Sequence, residues 1–284
     1  MARYLVTGGA GFIGSHLVDA LLLDGHSVRV LDDLSTGTEA NLDPRAELIV
    51  GDVADGGTVL AAADGVDGCF HLAAIASVAR GNEDWLGTHR VNLGGTIAVL
   101  DAARQVGGVP VVYASSAAVY GNLSGVAVEG GPVGPLSAYG ADKLGSELHA
   151  RAGFEVHGVS SVGLRFFNVY GPRQDPTSPY SGVISLFAAA LAGGRGITVH
   201  GDGSQTRDFV YVSDIVRFLR AGMHYAGAEP GAVVLNACTG RETSVRILAE
   251  TLGALLQMHP VIASGPARAG DVRRSVGSPA RAAS

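Results

Sequence analysis

Short apolar runs alternate along this chain with longer stretches whose apolar positions recur at helical spacing. The first unit sets the rhythm. Residues 4–7 read as a buried strand, residues 8–14 as a glycine-rich turn, and residues 15–23 as a helix with Leu17, Ala20 and Leu21 on one face. Gly25 ends that helix, and residues 27–31 form a second strand closed by Asp32 and Asp33. Strands are expected again at 47–50, 68–72, 109–114 and 159–166, with helices at 92–106 and 137–157. Strand–helix–strand repetition of this kind calls for an α/β fold of Rossmann type. That is a doubly wound parallel sheet covered by helices on both faces, with ligands outside the carboxyl ends of the strands.

After Phe167 the texture changes. Residues 168–180 are rich in Pro, Gly and Ser and cannot be regular throughout. Helices are expected at 184–192, 214–225 and 244–258, and strands at 197–200 and 233–236. The expected division is a dinucleotide-binding domain over 1–167, joined by about 209–228, and a smaller interleaved lobe from 168–208 and 229–284.

The turn carries the first chemical signal. In Gly8-Gly9-Ala10-Gly11-Phe12-Ile13-Gly14, Gly8 permits the tight exit from the strand and Gly11 lets a pyrophosphate approach the backbone. Gly14 is expected to let the helix pack closely on the strand. The spacing is one residue longer in its first gap than the usual dinucleotide fingerprint. Asp32 stands where a carboxylate meets a ribose hydroxyl and repels a 2′-phosphate, which favours NAD over NADP.

Composition narrows the field. The formal charge of −6 and the lack of a basic run argue against a nucleic-acid partner. No apolar run approaches bilayer-spanning length, and the chain enters a strand at once, leaving no room for a signal peptide. Cys69 and Cys238 are too few for a disulfide scaffold or a metal site, so a reducing, cytoplasmic compartment is expected.

The only lysine is Lys143; every other strong cation is an arginine. Tyr139 stands four residues before it in a helical stretch, so both leave one face. With eight tyrosines in the chain, that pairing is informative. An ammonium near a phenol favours the phenolate, and a tuned phenol can take a proton from a sugar or alcohol hydroxyl. Ser116, ending the fifth strand, could relay that proton, and its neighbour Ser115 is barely separable from it by sequence. Arg207 and Arg268 lie beside glycine-flanked turns; a lone arginine is usually a solvated charge, and the two suggest a diphosphate substrate only in the light of the resemblance below. Asn168 reads as a ligand or a turn residue.

The blocks TGGAGFIGS, LDDLSTG, GDVAD, HLAA, YASSAAVYG, YGADK, RFFNVYGPRQDPTSPYSGVIS and GDGSQTRDFVYVSD resemble those of extended short-chain dehydrogenase/reductases acting on nucleotide sugars. Together they cover nearly the whole chain, and the nearest likeness is to the UDP-hexose 4-epimerases. The resemblance implies Ser116, Tyr139 and Lys143 as the catalytic set. It implies NAD contacts from Gly8, Gly11, Phe12, Ile13, Gly14, Asp32 and Asp33, then from Ser35, Thr36, Gly37, Asp52, Val53, Leu72, Ala73 and Ala74. Asn92, Ser115, Tyr139, Lys143 and Phe166 complete that shell. For a UDP-sugar substrate it implies Ser116, Asn168, Val183, Arg207, Arg268, Asp271 and Ser275. The small Ser275 stands where narrow-pocket members carry a tyrosine, which suggests room for N-acetylated sugars. The resemblance further implies a homodimer through helices at about 88–106 and 138–157.

Two departures matter. Dehydratases of the family carry an Asp-Glu pair after the active-site Ser or Thr, and here Ala117 and Ala118 stand there. Members usually continue beyond the point corresponding to Ser284, so the C-terminal tail is expected to be missing. The competing readings are another dehydratase or reductase of nucleotide sugars, and a non-catalytic NAD(H)-binding regulator. Regulators tend to lose the Tyr or Lys, and both are present here.

Overall fold

The computed structural model describes residues 1–76, 81, 83–176, 182–258, 261–266 and 272–284. Seven parallel strands form the main sheet: β1 (Arg3–Thr7), β2 (Ser27–Asp32), β3 (Glu47–Val50), β4 (Gly68–His71), β5 (Val111–Ser116), β6 (Ser161–Phe166) and, beyond four strands of the lobe, β11 (Ala232–Ala237). Their spatial order is β11-β6-β5-β4-β1-β2-β3. The order reverses between β1 and β4, which opens a crevice at the carboxyl ends of those two strands.

Alternation within the strands builds two cores. Val6, Val30, Phe70, Val112 and Val162 face α1 (Phe12–Leu23) and α7 (Val212–Ala228), meeting Leu17, Leu21, Ile215, Leu219 and Met223. Leu5, Leu31, Cys69, Val111 and Tyr113 face α2 (Gly56–Ala63), α4 (Gly95–Gln105) and α5 (Ala138–His157), meeting Val59, Ala62, Val99, Ala103 and Ala150. Burial of apolar area at about 25 cal/mol per Å² makes these two layers the main source of stability.

Several boundaries differ from the sequence reading, each for a local reason. The helix expected over 15–23 begins at Phe12, because Gly11 already serves as its N-cap. The strand expected over 109–114 runs from Val111 to Ser116, because Gly107 and Gly108 take positive φ and Pro110 has no N–H. Both serines therefore belong to the strand. The helix over 92–106 is preceded by α3 (Trp85–His89) and a π-helical turn, Arg90–Gly94. α2 has no clear periodic signal in its GGTVLAAA sequence and is started by Asp55, whose carboxylate accepts from Gly57 N at 3.1 Å and Thr58 Oγ1 at 2.7 Å.

The lobe is assembled from small pieces. β7 (Asn168–Tyr170) pairs in parallel with β10 (Phe209–Tyr211), so the start of the stretch read as irregular is a strand. β8 (Ile197–His200) pairs with β13 (Ile262–Gly265). β9 (Thr206–Arg207) lies between β12 (Thr243–Ser244) and β14 (Arg274–Ser275). α6 (Val183–Ala192) and α8 (Val245–Leu255) cover them through Phe187, Leu191, Ile197, Val199 and Leu248, and a short α9 (Ala280–Ala283) closes the chain. One part of the expected division is corrected. Residues 229–284 were assigned to the lobe, yet Ala232–Ala237 pairs with β6 as the edge of the main sheet, because its buried residues complete that core. Among the described residues no helix is long and apolar enough to cross a membrane.

The glycine turn is set by close backbone approach. Gly8 has φ +70°, and a Cβ on Gly14 would stand 2.1 Å from Gly8 O and 2.7 Å from Gly9 Cα. Gly14 thus makes room for the turn itself, not for the strand as the sequence reading had it. Gly14→Ala is expected to cost about 1–3 kcal/mol through overpacking. A urea titration will show this as a lowered midpoint with an unchanged slope; an unaltered midpoint would mean that the turn yields freely.

Candidate active site

The first cleft forms where the strand order reverses. It measures about 240 Å³ and is lined by Gly8, Asp32, Asp33, Ser35, Thr36, Asp52, Val53, Ala73 and Ala74, all expected from sequence, with Ile75 and Arg90 beside them. α1 points its N-terminus here from Gly11, and no side chain caps it. The first N–H groups, those of Phe12, Ile13 and Gly14, remain open to an anion. Gly37 underlies the turn: a Cβ there would meet Ala10 C at 2.9 Å.

Asp32 holds the rim. Its carboxylate accepts from Ala10 N and Leu34 N, both at 2.9 Å, tying the turn to the end of β2. Burial raises its pKa, and the two amide bonds pull it back. Asp52 accepts from Ala54 N at 2.8 Å and pairs with Arg90 at 2.6 Å across the cleft mouth. Asn92 holds the loop after β4: its Oδ1 accepts from Ile75 N at 2.8 Å and its Nδ2 donates to Ile75 O at 3.2 Å. The π-helical turn presents this amide to the loop after β4, so Asn92 shapes the cleft through its wall. Leu72 follows β4 into that loop, and Phe166 ends β6, half-buried.

Ser116, Tyr139 and Lys143 converge at the end of β5. Ser137 caps α5 by accepting from Gly140 N at 3.1 Å, which places Tyr139 in the first turn. The Ser116 hydroxyl lies near enough to the Tyr139 hydroxyl to favour its ionised form, and it accepts from Ala118 N at 3.1 Å. Lys143 Nζ donates to Ala114 O at 2.8 Å and lies 5.9 Å from the Tyr139 ring centre. Strand alternation separates the two serines. Ser115 is buried toward α5 and donates to Glu147 Oε1 at 2.5 Å.

The electrostatics correct one expectation. Tyr139 was expected to be acidified by Lys143; instead burial raises its pKa, opposed by the nearby Ser116 side chain. Burial lowers Lys143 to about 8, partly offset by the Asp142 carboxylate. For both groups desolvation outweighs the other influences. His71, at the end of β4, is depressed to about 3 by burial and by the Lys143 charge. It bridges Thr7 Oγ1 at 2.8 Å and Thr96 Oγ1 at 3.1 Å as a neutral ring.

A second cleft of about 420 Å³ lies in the lobe. Asn168, Val183 and Arg207 line it, as expected, together with Phe187, His200 and Gln205. Ser275 is in register with Arg207 across β14 and β9. Arg268 and Asp271 lie outside the described residues. Sequence reasoning missed Asp208, fully buried next to Arg207, whose carboxylate accepts from Thr239 N and Gly240 N at 2.9 Å and from Thr239 Oγ1 at 2.6 Å. It also missed Glu147 and Arg165, although Glu147 continues the four-residue spacing of Tyr139 and Lys143.

A model of the NAD dependent epimerase/dehydratase family matches residues 4–236. The chain belongs to that family. It is 41% identical over 282 residues to a UDP-glucose 4-epimerase of Mycolicibacterium smegmatis, covering 96% of this chain and 88% of that one. Among solved structures it is similar to a UDP-N-acetylglucosamine 4-epimerase from Methanobrevibacter ruminantium in complex with UDP-N-acetylmuramic acid, with 33% identity, a TM-score of 0.94, and coverage of 99% and 91% of the two chains. It is likewise similar to a UDP-glucose 4-epimerase of Thermus thermophilus in complex with NAD, with 35% identity, a TM-score of 0.89, and coverage of 98% and 91%. Family membership agrees with the first cleft. Its turn closes so tightly that a Cβ on Gly8 would lie 2.6 Å from Ala73 N, and its open helix N-terminus and rim carboxylate suit a dinucleotide.

The buried ammonium has a thermodynamic consequence. Lys143 has a folded pKa of about 8 against 10.5 unperturbed. Between those values the unfolded chain binds the extra proton, so this group makes folding more favourable as pH rises. The stability of the cofactor-free protein minus that of Lys143→Met should therefore increase from pH 8 to pH 9. Urea titrations at both values check this; a flat or falling difference would place the lysine in contact with water.

Proposed function

We propose that this protein is an NAD-dependent epimerase that inverts C4 of a UDP-hexose through a transient 4-keto sugar. The observation that carries the reading is the joint at the end of β5. There Tyr139 and Lys143 of α5 meet the last residues of β5, the strand beside β4, whose end flanks the crevice at the strand-order reversal. Two relatives that bear 4-epimerase names, at 41% and 33% identity over nearly the whole chain, support it.

The first cleft suits NAD, held by the open N–H groups of α1 and by Asp32. Bound there, NAD supplies the oxidation at C4 and its reversal. Arg207 and Asn168 hold the diphosphate end of the substrate in the lobe cleft, where a guanidinium can meet phosphate oxygens bidentately. The Tyr139 oxygen takes the proton of the sugar 4-hydroxyl, directly or through Ser116. Burial keeps that phenol protonated in the cofactor-free protein. The positive charge of the oxidised cofactor and the Lys143 ammonium then favour the phenolate. Held by its diphosphate, the keto sugar turns to offer its other face, and Tyr139 returns the proton.

Ala117 and Ala118 follow Ser116, so no carboxylate stands there to expel water, which favours epimerisation over dehydration. The small side chain of Ser275 supports acceptance of N-acetylated sugars as well as UDP-glucose and UDP-galactose. A homodimer through α4 and α5 is part of the same proposal, supported by exposed Ile97, Leu148 and Val156 on those helices and by the shallow groove between them. A cytoplasmic setting accords with the nucleotide-sugar substrate.

Without added cofactor, the purified protein should interconvert UDP-galactose with UDP-glucose, and UDP-GalNAc with UDP-GlcNAc. Tyr139→Phe should lose about 10²–10⁴-fold in kcat, the usual worth of a positioned general base, while keeping its NAD. Chromatography of the nucleotide sugars reads both; turnover unchanged in Tyr139→Phe would end the proposal.

A further inference from the structure

Tyr139, Lys143 and Glu147 leave α5 at intervals of four residues and meet three consecutive residues of β5. Lys143 reaches Ala114 O at 2.8 Å, Glu147 reaches the Ser115 hydroxyl at 2.5 Å, and Tyr139 meets Ser116. The last contact is the chemical one. The middle contact belongs to a buried ion pair in which Glu147 Oε1 and Oε2 accept from Arg165 Nε at 2.8 Å and Nη2 at 2.7 Å. Ser115, Glu147 and Arg165 are respectively 1%, 7% and 4% exposed.

The same pair grips the chain on the other side of Ser116. The Arg165 guanidinium lies over the Tyr120 ring, 4.7 Å from its centre, and Tyr120 is four residues beyond Ser116. The Tyr120 hydroxyl in turn donates to Asn236 Oδ1 at 2.7 Å, and Asn236 Nδ2 donates to Ala127 O at 3.0 Å. Ser116 is thus bracketed, by Ser115 before it and Tyr120 after it, through one fully desolvated carboxylate–guanidinium pair. A buried ion pair is a poor way to gain stability, since apolar residues of the same volume often serve as well. Its value here is directional, because a bidentate pair fixes both partners in one geometry.

We propose that the Glu147–Arg165 pair is a positioning device for catalysis, acting through the Ser115 hydroxyl to hold Ser116 at the Tyr139 oxygen. The inference rests on Ser116 and Tyr139 being the proton-handling groups of the proposed reaction. Ser115 is then a positioning residue and not a ligand of the cofactor.

The test uses the native protein with its retained NAD, and the variants Ser115→Ala, Glu147→Gln, their double variant and Tyr139→Phe. Ser115→Ala removes one hydroxyl and leaves the ion pair intact, so it isolates the link. It should lower kcat roughly tenfold, the scale of a sub-ångström misplacement of a reacting group. KM for the UDP-sugar should stay within about twofold, and NAD content and thermal midpoint should be unchanged. The limb of the pH–rate profile that reports the phenol should also move in Ser115→Ala. Glu147→Gln added to Ser115→Ala should lower kcat by clearly less than it does alone, because the path it acts through is already cut. A Ser115→Ala enzyme with full kcat overturns the proposal, and so does one whose loss lies in NAD content or KM. Should Glu147→Gln fail to fold, Ser115→Ala alone decides. Full activity in Tyr139→Phe would instead show that the underlying reading of the site has failed.

Discussion

The bond from Lys143 Nζ to Ala114 O fixes the register in which α5 meets the end of β5. It runs from the second turn of α5 to the strand that ends in Ser116. With Glu147 and Tyr139 on the same helical face, it sets how far along β5 the helix can sit. A slide of one residue would set Tyr139 against Ala117 in one direction and against Ser115, whose hydroxyl is held by Glu147, in the other. The helix has no freedom to slide, because a buried ammonium without its acceptor would be strongly unfavourable. The same desolvation lowers Lys143 and raises Tyr139, so the site at rest holds its phenol proton firmly.

The strands on either side supply the setting. β1 and β4 diverge from each other's connections at the sheet centre, and the crevice between them carries the open end of α1 and the Asp32 rim. Beneath it, neutral His71 joins Thr7 on β1 to Thr96 on α4, and Thr96 joins Ser146 on α5 at 3.0 Å. That polar chain crosses an otherwise apolar layer and ties the cleft floor to the helix bearing Tyr139. On the lobe side, Asp208 gathers amides from the 239–240 turn directly after Arg207. Its own N–H donates to Ser275 O at 2.9 Å, so Arg207 and Ser275 are held in one piece. The sheet thus carries Ser116 beside Tyr139, and the lobe carries Arg207 and Ser275.

The sheet was legible because its strands are apolar runs bounded by glycine and acidic turns, and those signals are local. The glycine turn, Asp32 and the Tyr139–Lys143 spacing were legible for the same reason: each is a short-range pattern with one physical purpose. α2 was hidden by its own composition, and the assignment of Ala232–Ala237 depended on pairing with β6, some seventy residues away in sequence. The bonds of Asn92 to Ile75 could not be read from sequence, because they depend on a π-helical turn meeting the loop after β4. The direction of the Tyr139 shift was misread because spacing reveals a neighbouring charge and says nothing of how much water both groups lose. Glu147 and Arg165 went unnoticed for want of a partner: each looks ordinary until β6 is laid against α5.

The central claim is that one carbon gives up its C–H hydrogen and its O–H proton inside this protein and recovers the former from within it. UDP-galactose labelled with deuterium at C4, turned over in ordinary water without added cofactor, tests this most directly. The account predicts UDP-glucose that keeps the deuterium at C4. Label lost to water, or product formed only when NAD is supplied stoichiometrically and consumed, would contradict it.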